Sequence, residues 1–136
     1  MHTPYNFGGL EKKFSSYKNS KIVILPVPFD KTTTWLKGSD KGPDAIIKAS
    51  RNMELYDIPT NSEVYKKGIS TGQAIKAPNP RAMVNKVYAR TKKFLQDKKL
   101  VVTLGGEHSV SVGAIKAHAE FFQDMSILHL DAHSDR

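Results

Sequence analysis

Short apolar runs alternate along the chain with stretches of helical periodicity, and this alternation limits the possible folds more than any other feature. The runs are Lys21–Pro26 (KIVILP), Leu100–Leu104 (LVVTL) and Ser126–Leu130 (SILHL). Such short aliphatic runs suit strands that are buried on both faces, as in a parallel sheet. Since helical stretches separate them, the sequence predicts βαβ units and an α/β fold whose parallel sheet is covered on both sides.

Proline and cap residues indicate where the helices begin. Gly42-Pro43 and Asn79-Pro80 each place proline at a helix start, where its missing N–H costs nothing. A third helix is predicted over Ser109–Phe122, and a weaker strand over Glu63–Ile69. The apolar stripes expected on the three helices are, in order, Ala45, Ile46, Ala49 and Met53; Met83, Val84, Val87, Tyr88, Thr91, Phe94 and Leu95; and Val110, Ala114, Ile115, Phe121 and Phe122. Residues 1–20 are predicted to be an N-terminal surface arm, and residues 21–136 to belong to one domain.

The composition restricts the function classes. The 136 residues carry a formal net charge of +8, with 21 Lys and Arg against 13 Asp and Glu. A nucleic-acid-binding function could follow from that charge, but the lysines are dispersed in pairs without interleaved aromatic residues, so we expect no nucleic-acid partner. No apolar run is long enough for a membrane span, and the N-terminus has no apolar segment typical of a signal peptide. With no cysteine, the expected compartment is the cytoplasm.

Two chemically dense motifs each follow a predicted strand. They are Gly105–Ser109 (GGEHS) and Asp131–Asp135 (DAHSD). Sites in such folds lie just past the carboxyl ends of the strands. In an extended segment Asp131, His133 and Asp135 would point to one side, and His108 would reach the same edge if the two strands were neighbours.

These side chains predict a divalent metal site. Two carboxylates and an imidazole in one volume repel or require a proton unless a cation lies among them. Oxygen and nitrogen donors without sulfur suit Mn²⁺, with Zn²⁺, Co²⁺, Ni²⁺ and Fe²⁺ as competitors. The alternative is a solvated acidic turn with an incidental histidine, but such a group is costly to bury uncompensated after a strand.

The combination of the two motifs resembles the ureohydrolase family, which includes arginases and agmatinases. An N-terminal group of residues agrees with this resemblance: Pro26–Asp30, Gly38, Gly42-Pro43, Ala45-Ile46, Ser50 and Glu54–Asp57. Glu107 and His129 make the chain more similar to agmatinase than to arginase. The zinc-dependent deacetylases share the fold and an Asp-x-His motif, but GGEHS together with Asp135 favours the ureohydrolases. The resemblance implies a three-layer α/β/α fold of the arginase and deacetylase type.

The resemblance also implies the chemistry and the ligand set. Family members are similar in holding two Mn²⁺ ions with two His and four Asp side chains. By motif, His108 would bind the first ion, Asp131 would bridge both, His133 would bind the second, and Asp135 would bind the first and orient the bridging hydroxide. Two ions sharing one water lower its pKa, and the resulting hydroxide would attack a guanidino carbon to give urea and an amine.

The chain departs from the family pattern after Asp135. The family's remaining two ligands lie in a later Asp-x-Asp-x-x-Asp-Pro motif, which these 136 residues lack. We therefore expect the N-terminal half of a hydrolase that acts on C–N bonds of linear amidines, inactive alone and holding at most one ion well. The expected substrate is agmatine, converted to putrescine in polyamine biosynthesis, and the expected full-length assembly is a trimer or hexamer.

Three alternatives stay open at this point. The full chain could be an arginase, a guanidinobutyrase or a formimidoylglutamase. The chain could also be a non-catalytic remnant that binds one metal ion or docks onto an intact paralogue. Nucleic-acid binding has only the net charge in its favour.

Several further residues have competing interpretations. Glu107 could orient His108 or complement the start of the following helix, and His129 could orient a ligand carboxylate or be a buried structural histidine. His118 is expected to be a partly buried structural residue, and Trp35 an anchoring aromatic rather than part of a site rim. Gly105-Gly106 predicts a tight turn that lets the backbone approach the metal ions, and Ser109 a helix cap.

Overall fold

A parallel sheet forms the centre of residues 4–133, the part of the chain that the structure, a computed structural model, describes. Strand β1 (Ile22–Val27) lies between β2 (Ile69–Thr71) and β3 (Leu100–Gly105), and both pairings are parallel. Ile22 is in register with Ile69 on one side and with Leu100 on the other. The predicted α/β class with a parallel sheet is confirmed.

The helices predicted to begin at Gly42-Pro43 and Asn79-Pro80 begin there, whereas the short helix over Lys12–Ser15 was not predicted. Helix α1 spans Lys12–Ser15, α2 Gly42–Ser50, α3 Pro80–Gln96 and α4 Val110–Phe121, and the 3₁₀ turns span Phe7–Gly9, Ser39–Lys41 and Val64–Lys67. The Asn79 side chain accepts a hydrogen bond from the Ala82 N–H at 2.9 Å, which satisfies one of the unpaired donors of the first turn of α3.

The main core lies on one face of β1. Val23, Leu25 and Val27 point to this face and are fully buried. They pack against α3 and α4 in a cluster completed by Phe29, Ile75, Met83, Val87, Phe94 and Val110. The predicted apolar face of α3 is therefore confirmed at Met83, Val87, Thr91, Phe94 and Leu95, which are all buried.

The predicted core face of α2 is wrong. This helix buries Pro43, Ile47 and Ser50, whereas Ile46 is 44% and Met53 50% exposed. Ile47 and Pro43 line one cavity with Pro26 of β1, so α2 covers the sheet face opposite α3. Helical spacing was correct, but two adjacent isoleucines left the direction of the stripe ambiguous, and packing against β1 selected Ile47.

The predicted core face of α4 is also wrong in part. Val110 is buried as expected, but the other buried residues are Gly113 and Ala117. Ile115, Phe121 and Phe122 are 37–48% exposed. A Cβ added at Gly113 would lie 2.4 Å from the Val84 carbonyl oxygen, so α3 and α4 approach through their backbones. Small residues permit this approach, and a search for large apolar residues therefore misplaced the core at Ile115, Phe121 and Phe122, whereas the predicted Val110 and Ala114 do pack against it.

Two predicted strands differ from the structure. Val64–Lys67 is a 3₁₀ turn and β2 begins only at Ile69, so the weak strand predicted over 63–69 is displaced. Ser126–Leu130 forms no strand, and Ile127, Leu128 and Leu130 are 58%, 82% and 85% exposed. A strand requires a paired neighbour and a covering layer, and the described residues supply neither to this segment.

The N-terminal residues pack along the sheet. Leu10 is only 3% exposed, and the Phe7 N–H donates to the Thr71 hydroxyl at 2.9 Å. The Tyr17 ring lies 5.8 Å from that of Phe94, and its hydroxyl donates to Asp97 at 2.5 Å. The division into a 1–20 arm and a 21–136 domain stays a prediction. Within residues 4–133, each helix is too short or too polar to span a bilayer.

The close approach at Gly113 predicts the effect of one added methyl group. Alanine gains about 1 kcal/mol of helix propensity over glycine, but the clash with the Val84 carbonyl should cost about 1–3 kcal/mol, so we expect Gly113→Ala to destabilise the protein. Denaturant unfolding measures this, with Val112→Ala on the exposed side of α4 as the control, expected within about 0.5 kcal/mol of wild type. A Gly113→Ala protein more stable than wild type would contradict the packing of α3 on α4.

Candidate metal centre

The turn after β3 is held against the segment that follows β1. The Gly106 N–H donates to the Val27 carbonyl at 3.2 Å, and the Glu107 N–H donates to the Phe29 carbonyl at 3.0 Å. A Cβ at Gly106 would lie 2.2 Å from the Phe29 oxygen, so only glycine allows this approach. The turn lies where the sequence interpretation placed it, and its close approach among the described residues is to the backbone of Phe29. The approach of this backbone to metal ions stays a prediction.

Asp131 lies at the centre of three imidazoles. Its carboxylate is 3.4 Å from His108 Nε2, 3.9 Å from His129 Nε2 and 3.2 Å from His133 Nδ1. The Asp131 side chain is 13% exposed, whereas those of His108 and His133 are 71% and 83% exposed. The structure thus brings His108, Asp131 and His133 together at the carboxyl end of the sheet, with the imidazoles open to solvent.

Asp131 and His133 meet through a bend rather than through strand alternation. The His133 backbone N–H donates to Asp131 Oδ1 at 2.7 Å, a local side-chain-to-backbone bond typical of aspartate in turns. This hydrogen bond lowers the pKa of Asp131, burial raises it, and the neighbouring His133, His108 and His129 side chains lower it further. The net effect holds the pKa of Asp131 below its ordinary value, which favours the ionised carboxylate that a metal ion requires.

The donor atoms fit a divalent cation in their chemistry. Imidazole nitrogen and carboxylate oxygen without sulfur are the ligands expected for Mn²⁺ and its competitors. Within residues 4–133, however, no group of three or more His, Asp or Glu side chains has the arrangement of a metal site. Asp135, the fourth predicted ligand, lies outside the described residues.

Glu107 has hydrogen-bonding partners that neither sequence interpretation included. Its carboxylate accepts hydrogen bonds from the Thr32 N–H at 2.9 Å, from the Thr32 hydroxyl and from the Ser109 hydroxyl. Burial raises the pKa of Glu107, but these hydrogen bonds outweigh it and leave the pKa below its ordinary value. Thr32 was missed because it lies 75 positions away, and the run of three threonines after β1 was the only sequence signal available.

The remaining expectations have mixed outcomes. His118 is half-buried and its Nδ1 lies 2.8 Å from the Ala114 carbonyl, as expected of a structural residue. Trp35 is 86% exposed, so the expectation of an anchoring aromatic is wrong. The His129 side chain is 48% exposed, which excludes the buried structural histidine. Ser109 stands at the N-cap of α4 without a side-chain cap bond, since its hydroxyl donates to Glu107.

The structure places histidine and aspartate side chains at the carboxyl edge of a parallel α/β sheet, and comparison with known proteins specifies the family. The family model described as "Arginase family" matches residues 20–136. The chain therefore belongs to the arginase family.

The relatives are agmatine-type ureohydrolases. The chain is 32% identical to N(1)-aminopropylagmatine ureohydrolase of Synechocystis sp., covering 99% of this chain and 49% of the relative. It is 33% identical to agmatinase of Halalkalibacterium halodurans, covering 89% and 43%. Among solved structures, agmatine ureohydrolase of Thermoplasma volcanium matches with a TM-score of 0.76 and 25% identity, covering 86% of this chain and 39% of that one. The chain spans less than half the length of these proteins.

The approach of Gly106 to Phe29 predicts a strong effect of Gly106→Ala. The added methyl group would meet a backbone oxygen at 2.2 Å, which cannot move as a side-chain end can, so we expect a loss of about 1–3 kcal/mol or more. Gly42→Ala is the matched control, because a Cβ there meets the Gly105 oxygen at an ordinary 3.5 Å. Equal unfolding free energies for the two variants would contradict the close approach.

Proposed function

We propose that the chain is the N-terminal part of a manganese-dependent amidinohydrolase that cleaves the guanidino group of agmatine, or of an aminopropyl derivative of it, into urea and an amine. The observation that carries the proposal is the cluster of His108, Asp131 and His133 in a chain of the arginase family. Both substrates follow from the relatives, two of which are named for agmatine and for N(1)-aminopropylagmatine.

The residues of this chain would divide the work at the metal centre. His108 and His133 would supply nitrogen ligands, and Asp131 and Asp135 would supply carboxylate oxygens. The Asp135 carboxylate would also accept a hydrogen bond from the water that the ions activate. When bound, the ions would lower the pKa of a shared water so that hydroxide is available near neutral pH. His129, 3.9 Å from Asp131, would orient that carboxylate.

The proposed enzyme needs metal ligands that these 136 residues do not supply. By resemblance, this chain supplies three of the four protein ligands of the first ion and two of the four of the second. We propose that the remaining carboxylates lie in a segment that corresponds to the part of the relatives this chain does not cover. The 136 residues alone would then hold one ion at best and release no urea. A cytoplasmic location and a trimeric or hexameric assembly remain part of the proposal.

Metal binding is the first test. We expect Mn²⁺ to bind, as measured by titration calorimetry, and His108→Ala or Asp131→Asn to weaken its affinity by at least about ten-fold, because each removes a ligand. His118→Ala is the control, since His118 is also an imidazole at the carboxyl half of the chain but its Nδ1 contacts the Ala114 carbonyl. Equal losses for His108→Ala and His118→Ala would count against the centre.

Urea release is the second test. The protein at its natural length should release urea with Mn²⁺ from agmatine or N(1)-aminopropylagmatine, and chelation of the metal should abolish the reaction. Arginine and guanidinobutyrate distinguish the alternative family activities. A protein that carries the remaining ligands, binds Mn²⁺ and still releases no urea from any of these would exclude the catalytic proposal.

A second candidate function is supported by uncovered apolar surface. Leu100 on β3 is 62% exposed, and Leu128 and Leu130 are 82% and 85% exposed. With this surface available for contact, the chain could be a non-catalytic remnant that docks onto an intact paralogue. Co-purification with a full-length ureohydrolase from the same cells would favour this candidate, and a monomer under the same conditions would oppose it.

A further inference from the structure

The loop between β1 and α2 (residues 28–41, the β1–α2 loop) leaves the sheet at the same edge as His108. Asp30 joins the two sides of the loop, because its carboxylate accepts a hydrogen bond from the Gly38 N–H at 2.8 Å. The Asp30 carbonyl accepts from the Thr33 hydroxyl at 3.0 Å and from the Lys37 ammonium. The loop is therefore tied to itself between residues 30 and 38.

Glu107 ties this loop to the end of β3. Three donors converge on its two oxygens: the Thr32 N–H at 2.9 Å on Oε2, and the hydroxyls of Thr32 and Ser109 on Oε1. The Glu107 N–H also donates to the Phe29 carbonyl at 3.0 Å. Both oxygens are used as acceptors, so an amide of the same shape would present an N–H₂ group to at least one donor.

The tip of the loop carries two large apolar side chains that the protein does not bury. Trp35 is 86% and Leu36 77% exposed, and both stand between the two tied points at Thr32 and Gly38. Packing within residues 4–133 does not explain them. A tip that is held in place beside a site but left apolar is suited to contact a carbon chain, because burying its surface on binding is favourable.

We propose that Glu107 is a positioning residue that holds the β1–α2 loop over the carboxyl edge of the sheet, and that Trp35 and Leu36 at the loop tip bind the methylene chain of a guanidino substrate whose head group lies at the metal centre. The role of the tip rests on the proposed function. The role of Glu107 does not rest on the proposed function, because it depends only on which segments the Glu107 carboxylate joins.

Hydrogen–deuterium exchange tests the role of Glu107 in the protein at its natural length. Glu107→Gln should speed exchange in peptides covering 28–41 by roughly ten-fold, as expected when a hydrogen bond to a charged group is lost, and leave peptides covering 80–96 unchanged. Glu120→Gln is the matched control, because the Glu120 carboxylate also accepts two side-chain hydrogen bonds, from Tyr88 at 2.6 Å and Lys92 at 3.1 Å. Glu120 lies on α4, and these bonds do not involve the β1–α2 loop. Unchanged exchange in 28–41 after Glu107→Gln would overturn the positioning role.

Agmatine binding and turnover test the role of the tip. Trp35→Ala should raise the dissociation constant of agmatine in the presence of Mn²⁺, and the KM for agmatine, by roughly ten-fold while kcat stays near wild type. Ile58→Ala is the control, since Ile58 is 79% exposed but lies in the segment that leads from α2 to the start of β2, away from the carboxyl edge of the sheet. An unchanged dissociation constant for Trp35→Ala overturns the role of the tip.

The two proposals fail in different ways. A wild-type protein that binds no Mn²⁺ and releases no urea contradicts the proposed function, while the exchange experiment still decides the role of Glu107. A protein that releases urea with unchanged KM after Trp35→Ala keeps the function and rejects the substrate contact.

Discussion

The double burial of β1 is the constraint on which the rest of the structure depends. Its side chains pack against α3 and α4 on one face and against α2 on the other, and its backbone pairs with both neighbouring strands. The carboxyl ends of β1 and β3 are thereby fixed side by side, and the segments that leave them, the β1–α2 loop and the Gly105–Ser109 turn, must share one edge of the sheet.

The polar side chains of the candidate site meet at that edge because the turn after β3 can come close to the backbone that follows β1. Gly106 lets the turn after β3 touch the Phe29 carbonyl, and this contact sets the position from which Glu107 reaches Thr32 and His108 reaches Asp131. Both carboxylates have hydrogen-bond donors beside them: Asp131 accepts the His133 backbone N–H and lies among imidazoles, and Glu107 accepts from Thr32 and Ser109. The proposed metal centre and the proposed role of Glu107 are therefore two consequences of the same turn.

The uncovered surface has a common physical origin. Leu100 on β3 and the apolar residues of 126–130 are exposed, although their composition is that of strands buried on both faces. The chain spans less than half the length of its relatives, so a covering layer and a neighbouring strand would have to come from elsewhere. Contiguous exposed apolar surface commonly marks a surface of association, and this is the basis of the docking candidate proposed above.

Local signals and short motifs were enough for the class and for the approximate position of the elements. Proline after glycine or asparagine located α2 and α3, the aliphatic runs located β1 and β3, and the two polar motifs indicated the edge at which His108, Asp131 and His133 meet. The sequence could not determine which face of α2 and α4 is buried, because backbone contact at Gly113 and the choice between Ile46 and Ile47 depend on neighbours distant in the chain. Pairing decided that 126–130 is not a strand here, since a strand is stable only beside another. The bond from Thr32 to Glu107 joins residues 75 positions apart, and only the tertiary structure, which brings the ends of two parallel strands together, could reveal it.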